Sequence, residues 1–148
     1  MSARHDPGLH AVSRVRDVRE RDSRLGLQQA LREQQLLQTR LEGLQEQMRA
    51  QAVFDHGDVR AFVAARLAIE SLRAAATELR QEVDTAAVLT ASARSHWLHD
   101  KTRLSAVEGL LERRAEERRA ERATKESHEL DDIAGQLWLR NTHRKESA

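Results

Sequence analysis

The sequence predicts an all-α fold, a two-helix antiparallel coiled-coil hairpin whose second helix is much longer than its first. The chain has 148 residues with one proline and no cysteine, and it is 39% hydrophobic, 33% charged and only 3% aromatic. Such a composition cannot fill a wide core and is typical of long helices. A seven-residue apolar repeat and one strong turn signal complete the prediction.

We expect a single coiled-coil rod over residues 1–148, in four parts. These are helix 1 at about 7–53, a turn at about 54–59, helix 2 at about 60–140 and a flexible tail at 141–148. Asp6 and Pro7 form a helix-opening pair, because Asp accepts hydrogen bonds from free first-turn amides and Pro fits the first helical position.

The first helix carries two apolar patterns. From Leu27 onward, a stripe at spacings of three and four predicts one buried face, and an earlier stripe is shifted in phase from it. We therefore expect a local irregularity near Gly26, where the two phases meet. The positions are Ala11, Val15, Val18, Asp22 and Leu25 for the early stripe, and Leu27, Ala30, Gln34, Leu37, Leu41, Leu44, Met48 and Gln51 for the later one.

The turn falls at Asp55-His56-Gly57-Asp58, where Gly tolerates positive φ and Asp58 is placed to cap the second helix. With a turn centred there, facing residues have numbers that add to about 112. Trp97 should then reach Val15, and the first helix should end beside residue 104 of the second.

The second helix has the clearest pattern in the chain. All but two of the fifteen stripe positions are apolar, whereas the 39% average predicts about six, so the stripe requires a partner helix. The exceptions are Thr90 and Asp100. The positions are 62, 65, 69, 72, 76, 79, 83, 86, 90, 93, 97, 100, 104, 107 and 111.

A charged segment, 112–129, follows this stripe. It is followed by an apolar patch of Leu130, Ile133, Ala134, Leu137 and Trp138 on one helix face. The predicted register provides no partner for this patch within the chain. An unpartnered amphipathic patch of this kind commonly fills a groove on another protein.

No catalytic, cofactor or metal site is predicted. His96, His99 and Asp100 share a helix region, but a two-helix rod offers no cavity lined by three ligands, so we interpret them as solvated side chains. Asp100 either fixes the register as a polar seam position or is wet because the pairing frays there, and we favour fraying. Metalloprotease, phosphate-loop and serine-hydrolase motifs are absent from the sequence, and we expect no enzyme.

Nucleic acid is not an expected partner. The net charge is only +1, and the arginines of 14–24 and 113–122 are interleaved with acids. We found no apolar stretch typical of a secretory signal or a membrane span. The expected location is the cytoplasm.

In overall pattern the chain resembles the FliJ family, the small coiled-coil component of the bacterial flagellar type III export apparatus. The resemblance rests on an early Val–Arg segment, on a tryptophan followed by a Lys-x-Arg-Leu step, and on an apolar-acid-acid-apolar-Ala run. In this sequence these are Val12, Val15, Val18, Arg19, Arg21 and Leu25; Trp97, Lys101, Arg103 and Leu104; and 130–134. The chain departs from some relatives in having no tyrosine.

The resemblance implies a stalk that binds a hexameric export ATPase of the FliI type and an export gate of the FlhA type, and that assists export chaperones. It implies contact with the membrane only indirectly, at the inner face of the cell membrane at the flagellar base, and we expect a monomer when the chain is free. The implied partner-binding residues are Val15, Val18, Arg19, Arg21, Leu130, Asp131, Asp132, Ile133, Leu137 and Trp138. The alternatives are a generic adaptor or spacer, and a parallel homodimer of straight helices.

Overall fold

The computed structural model describes residues 6–53 and 55–146. The first residue of the predicted turn and the last two of the predicted tail lie outside that part, as do residues 1–5. Two helices, α1 (Pro7–Ala52) and α2 (Val59–Glu146), make up the described chain together with the short link between them, and no strand occurs in it. With 46 and 88 residues they confirm the all-α fold class and the much longer second helix. Helix α2 extends six residues past Arg140, where we expected the tail to begin.

Two compact units divide the chain, Arg14–Leu104 and a second unit of Met1–Ser13 with Ser105–Ala148. In the unit of residues 14–104 the helices pack antiparallel around Leu41, Ala76 and Leu79. Partly buried Leu37, Leu44, Met48 and Val83 pack against this cluster. Ala76 is 0% exposed, and its small side chain allows the two helices to approach closely.

The α2 stripe forms its half of the seam, by which we mean the row of positions where the helices face each other. In this unit the residues from Ala65 to Leu104 at the predicted positions are all buried or half-buried. Phe62, which we also placed on the stripe, is 49% exposed. The seven-residue repeat therefore predicted the buried face of α2 correctly from Ala65 onward.

The link between the helices confirms the predicted cap. Gly57 has a φ of 153°, and the Asp58 carboxylate accepts a hydrogen bond of 2.9 Å from the Ala61 backbone N–H. The Asp58 carbonyl accepts a further bond of 3.0 Å from the Phe62 N–H. The Asp58 carboxylate therefore satisfies one of the amides that the first turn of α2 leaves free, and the Asp58 carbonyl accepts the first hydrogen bond of the helix itself.

The predicted register was wrong by about five residues. Leu41 packs with Ala76, and Glu20 bonds to Trp97, so facing numbers add to 117 in both cases. The physical reason is that the first residues of α2, 59–64, are all exposed and lie beyond the paired part of α1. Trp97 consequently faces Glu20, and Val15 is 54% exposed.

The phase change expected near Gly26 was also wrong. Helix α1 runs without interruption. The stripe that begins at Leu27 continues with the same spacing toward the start of the helix, where its positions are occupied by polar residues. A straight helix cannot move its buried face to the opposite side, so the phase set by the leucines continues. In this unit the α1 seam positions, all buried or half-buried, are 16, 20, 23, 27, 30, 34, 37, 41, 44 and 48.

Overpacking at Ala76 should destabilise the protein. We expect Ala76→Leu to lower the free energy of unfolding by about 1–3 kcal/mol, because the extra side chain must force the helices apart. Ala75→Leu is the matched control, since Ala75 is exposed one position away. Urea unfolding of the full chain, followed by circular dichroism, measures both. Equal stability of the two variants would contradict the packing at Ala76.

Candidate partner-docking surfaces

A polar segment of the seam replaces the leucine packing where α1 passes Trp97. The Trp97 indole Nε1–H donates to Glu20 Oε1 at 2.8 Å, and Glu20 is only 8% exposed. Arg24 Nη2 lies 3.8 Å from Glu20 Oε2, and Lys101 Nζ lies 4.9 Å from the centre of the Trp97 ring. The buried carboxylate thus has a neutral donor and one cation, Arg24, nearby, which makes a buried charge tolerable, and Lys101 makes a cation–π contact with the same tryptophan.

Asp100 is buried as well, which overturns our interpretation that it is wet at a frayed end. It is 6% exposed, and His96 Nε2 lies 3.5 Å from its Oδ2. Asp100 occupies a seam position that a heptad places against the partner helix whatever its polarity. The described residues include no cluster of three or more His, Cys, Asp or Glu side chains able to hold a metal ion.

The early apolar residues of α1 lie outside the seam. Val15 and Val18 are each 54% exposed and Leu25 is 62% exposed, while the seam in this stretch consists of Arg16, Glu20 and Ser23. Val18 and Leu25 lie two positions from the nearest seam residues and therefore on the opposite side of the helix, and Val15 lies about 100° around the helix from Arg16. Arg16 Nη1 is buried without a hydrogen-bond partner.

Two arginines were predicted as partner contacts on this part of α1. Arg21 Nη2 forms an ion pair of 2.7 Å with Asp17 Oδ2, one turn earlier, and both side chains are well exposed. The Arg19 side chain is exposed, and its carbonyl accepts a bond of 3.0 Å from the Ser23 hydroxyl. The valines and these arginines together form an accessible surface, which we call the α1 outer face.

The apolar patch near the end of α2 consists of exposed residues. Every residue from 119 to 141 is exposed, including Asp131 and Asp132. The large side chains of the patch are 66% exposed at Leu130, 54% at Ile133 and Leu137, and 65% at Trp138. We call Leu130, Ile133, Ala134, Leu137 and Trp138 the α2 patch. It belongs to the unit containing 105–148, whereas Val15, Val18, Arg19 and Arg21 belong to the unit of residues 14–104.

Asp6 forms an unpredicted contact in the unit that contains the α2 patch. Arg114 Nη1 donates to Asp6 Oδ1 at 2.6 Å, and Arg118 Nη1 donates to Asp6 Oδ2 at 2.8 Å. Asp6 caps α1 through its carbonyl, which accepts from the His10 N–H at 3.1 Å, and not through its carboxylate. We had expected the first helix to end beside residue 104, so Arg114 and Arg118 were not considered as its partners.

Opposing effects act on the pKa of the Asp6 carboxyl group. Its burial acts to raise its pKa, but hydrogen bonds from Arg118 and Arg114 and their positive charges outweigh that effect. The pKa of Asp6 therefore lies below its ordinary value of 3.8. A depressed pKa means that the contact contributes stability above the ordinary value and loses it as the pH falls through the depressed value.

An open groove crosses the middle of the unit of residues 14–104. It encloses about 630 Å³ and has apolar side chains of Leu37 and Leu89 beside the carboxylates of Glu33, Glu78 and Glu82.

None of the described helices is long and apolar enough to cross a membrane. The surfaces with large exposed apolar side chains remain the more direct candidates for binding partners.

These features define a two-helix coiled-coil protein that has large apolar side chains outside its seam. The sequence model of the flagellar FliJ protein matches residues 5–143, nearly the whole chain. The chain therefore belongs to the FliJ family and is a flagellar export-related protein. No curated protein and no solved structure matches the chain.

The Asp6 contact gives a prediction for acid titration. In the full chain we expect the Asp6 carboxyl group to titrate below 3.8, as followed by carbon NMR of its side chain. Replacing both arginines, Arg114→Gln with Arg118→Gln, should raise this midpoint to 3.8 or higher, because the effect of burial is then unopposed. Arg113→Gln is the control, since Arg113 Nε bonds to the Gly109 carbonyl at 3.4 Å. An unchanged midpoint in the double variant would contradict the contact.

Proposed function

We propose that this protein is a stalk of the flagellar export ATPase complex. In this role it links a hexameric ATPase of the FliI type to an export gate of the FlhA type and assists export chaperones. It performs no chemistry and resides in the cytoplasm, at the inner face of the cell membrane. Family membership supports the setting, and the exposed side chains of the chain support the docking role.

The observation that carries the proposal is the exposure of the α2 patch. Four large apolar side chains, each more than half exposed, occupy about two and a half turns of one helix. Exposed apolar side chains in a row cost solubility and are typical of surfaces that bind another protein. A groove on the ATPase that accepts this helix face would bury Leu137 and Trp138 first, because large aromatic and aliphatic anchors dominate such contacts.

The α1 outer face supplies the second proposed contact. Val15 and Val18 have the size of anchor residues, and Arg19 and Arg21 can form forked hydrogen bonds with carboxylates of a partner. Arg21 must first leave Asp17, but an exposed ion pair within one helix is worth only a few tenths of a kcal/mol. The docking would bias assembly or turnover of the ATPase through binding energy alone.

The experiment measures binding to the cognate export ATPase and its rate of ATP hydrolysis, with and without the chain. We expect a complex and a faster ATPase with the natural sequence. Leu137→Glu with Trp138→Glu should weaken the complex about tenfold or more, because two anchors are replaced by carboxylates that resist burial. Val15→Glu with Val18→Glu should weaken it by a smaller factor.

Controls separate docking from general surface damage. Val88→Glu and Leu67→Glu replace side chains that are 69% and 66% exposed and lie outside both proposed surfaces, so binding should stay as in the natural chain. Binding of the cytoplasmic part of the gate protein is measured with the same variants. No complex and no stimulation with the natural chain would reject the stalk and leave the generic adaptor.

A further inference from the structure

Charged residues are arranged asymmetrically around the α2 patch. Three carboxylates come before its centre, at Glu126, Glu129 and Asp131, and three cations come after it, at Arg140, Arg144 and Lys145. At 100° per residue, Glu126, Arg144 and Lys145 lie on the same side of the helix as the patch, and the other three lie at its margins. Lys125 and Asp132 lie on the opposite side.

This arrangement is complementary to itself when one copy is reversed. In an antiparallel pair of helices centred near residue 135, Glu126 of one copy lies opposite Arg144 of the other, and Glu129 lies beside Arg140. Asp131 and Lys145 share the other margin, where Asp131 lies level with residue 139 of the second copy, about 9 Å along the axis from Lys145. A parallel pair would instead place like charges side by side, which is unfavourable.

The apolar side chains fit the same arrangement. With the centre near residue 135, Ile133 of one copy packs against Leu137 of the other, and Trp138 covers the margin of that contact. The described residues 119–141 are all exposed, so this helix face is accessible to a second copy. From these observations we infer that the α2 patch binds the α2 patch of a second copy of the chain in an antiparallel pair.

The pairing is weak and reversible. The apolar contact covers only about three turns of each helix, and the charged pairs around it are exposed, so the pair buries far less surface than a stable dimer needs. Dissociation in the micromolar to millimolar range agrees with a monomer in dilute solution and allows pairing where copies are concentrated. The inference concerns a second copy and holds whether or not the ATPase docks. If the patch also binds the ATPase, which rests on the proposed function, pairing and docking exclude each other.

A charge-swap experiment tests the pairing in the full chain by sedimentation velocity over a wide range of concentration. The acidic variant carries Arg140→Glu, Arg144→Glu and Lys145→Glu, and the basic variant carries Glu126→Lys, Glu129→Lys and Asp131→Lys. Each alone should associate about tenfold or more weakly than the natural chain, because its patch becomes uniformly charged. An equimolar mixture of the two should associate again, which a variant with a damaged helix could not do.

Lys125→Glu with Asp132→Lys is the matched control, because these charges lie away from the paired face, and its association should equal that of the natural chain. Orientation is tested by disulfide formation, which has no background because the natural chain lacks cysteine. Glu126→Cys and Arg144→Cys chains should crosslink with each other when mixed, and neither should crosslink with itself.

The inference is overturned by a natural chain that stays monomeric at all concentrations. It is equally overturned by acidic and basic variants that fail to associate when mixed, or by Glu126→Cys chains that crosslink with themselves. ATPase is absent from these measurements, so their failure leaves the proposed function untouched, and a failure to bind the ATPase leaves them untouched in turn.

Discussion

The apolar stripe of α2 is the constraint on which the unit of residues 14–104 depends. A helix with one apolar side cannot leave that side in water, and α1 is the surface within this unit that covers it. The contact is thin, because its best-covered member is an alanine and no large side chain among the described residues is fully buried. Stability must therefore come from many half-buried contacts along the seam, each of modest size. Ala76 matters because it sets the separation of the helices for its neighbours.

The same constraint explains the polar part of the seam. Once Leu27 and Leu41 fix which side of α1 faces α2, the heptad places Arg16, Glu20 and Ser23 on that side too. Glu20 accepts a hydrogen bond from the Trp97 N–H, but Arg16 Nη1 is buried without a hydrogen-bond partner. Unpaired buried polar atoms cost free energy, so this end of the hairpin is held less firmly than the leucine part. Because the polar residues occupy the buried side of this part of α1, Val15 and Val18 face solvent.

Sequence predicted the fold class and the buried side of α2 because a seven-residue repeat sustained over many turns has only one helical interpretation. It failed for the first part of α1 because we assigned the buried side by polarity, and there Val15 and Val18 follow a regular spacing of their own. The rule that apolar residues lie inside holds on average, but the continuity of a helix overrides it locally. Extending the stripe that begins at Leu27 toward the start of α1 would have identified the buried side of this part of the helix correctly.

The register could not be derived from the sequence because it depends on where each helix stops contributing to the seam. The exposed start of α2 shifts every facing pair, and a shift of five residues is about 7 Å along the helix. That shift brings Glu20 to Trp97 and leaves Val15 in solvent. The prediction that the α2 patch is exposed holds despite this error. The patch begins twelve residues after Arg118, the nearest partly buried position before it, and twelve residues exceed the shift. The Asp6 contact could not be predicted with this error, because predicting a contact between single side chains requires the register to be correct within about one turn.

The register determines which apolar side chains lie outside the seam, and those side chains are the candidates for binding a partner. In a two-helix protein each helix has one buried side, so large apolar side chains elsewhere are exposed, and several of them on one helix face mark a candidate binding surface. Val15, Val18, Leu137 and Trp138 all belong to that excluded set, although two belong to the unit of residues 14–104 and two to the other unit. The α2 patch differs from the α1 outer face in one respect, since opposite charges lie before and after its centre. Apolar side chains without such polarity can bind in either direction, whereas this arrangement favours a partner helix that runs antiparallel and carries the reverse order of charges. The α2 patch of a second copy, running antiparallel, carries its charges in that reverse order.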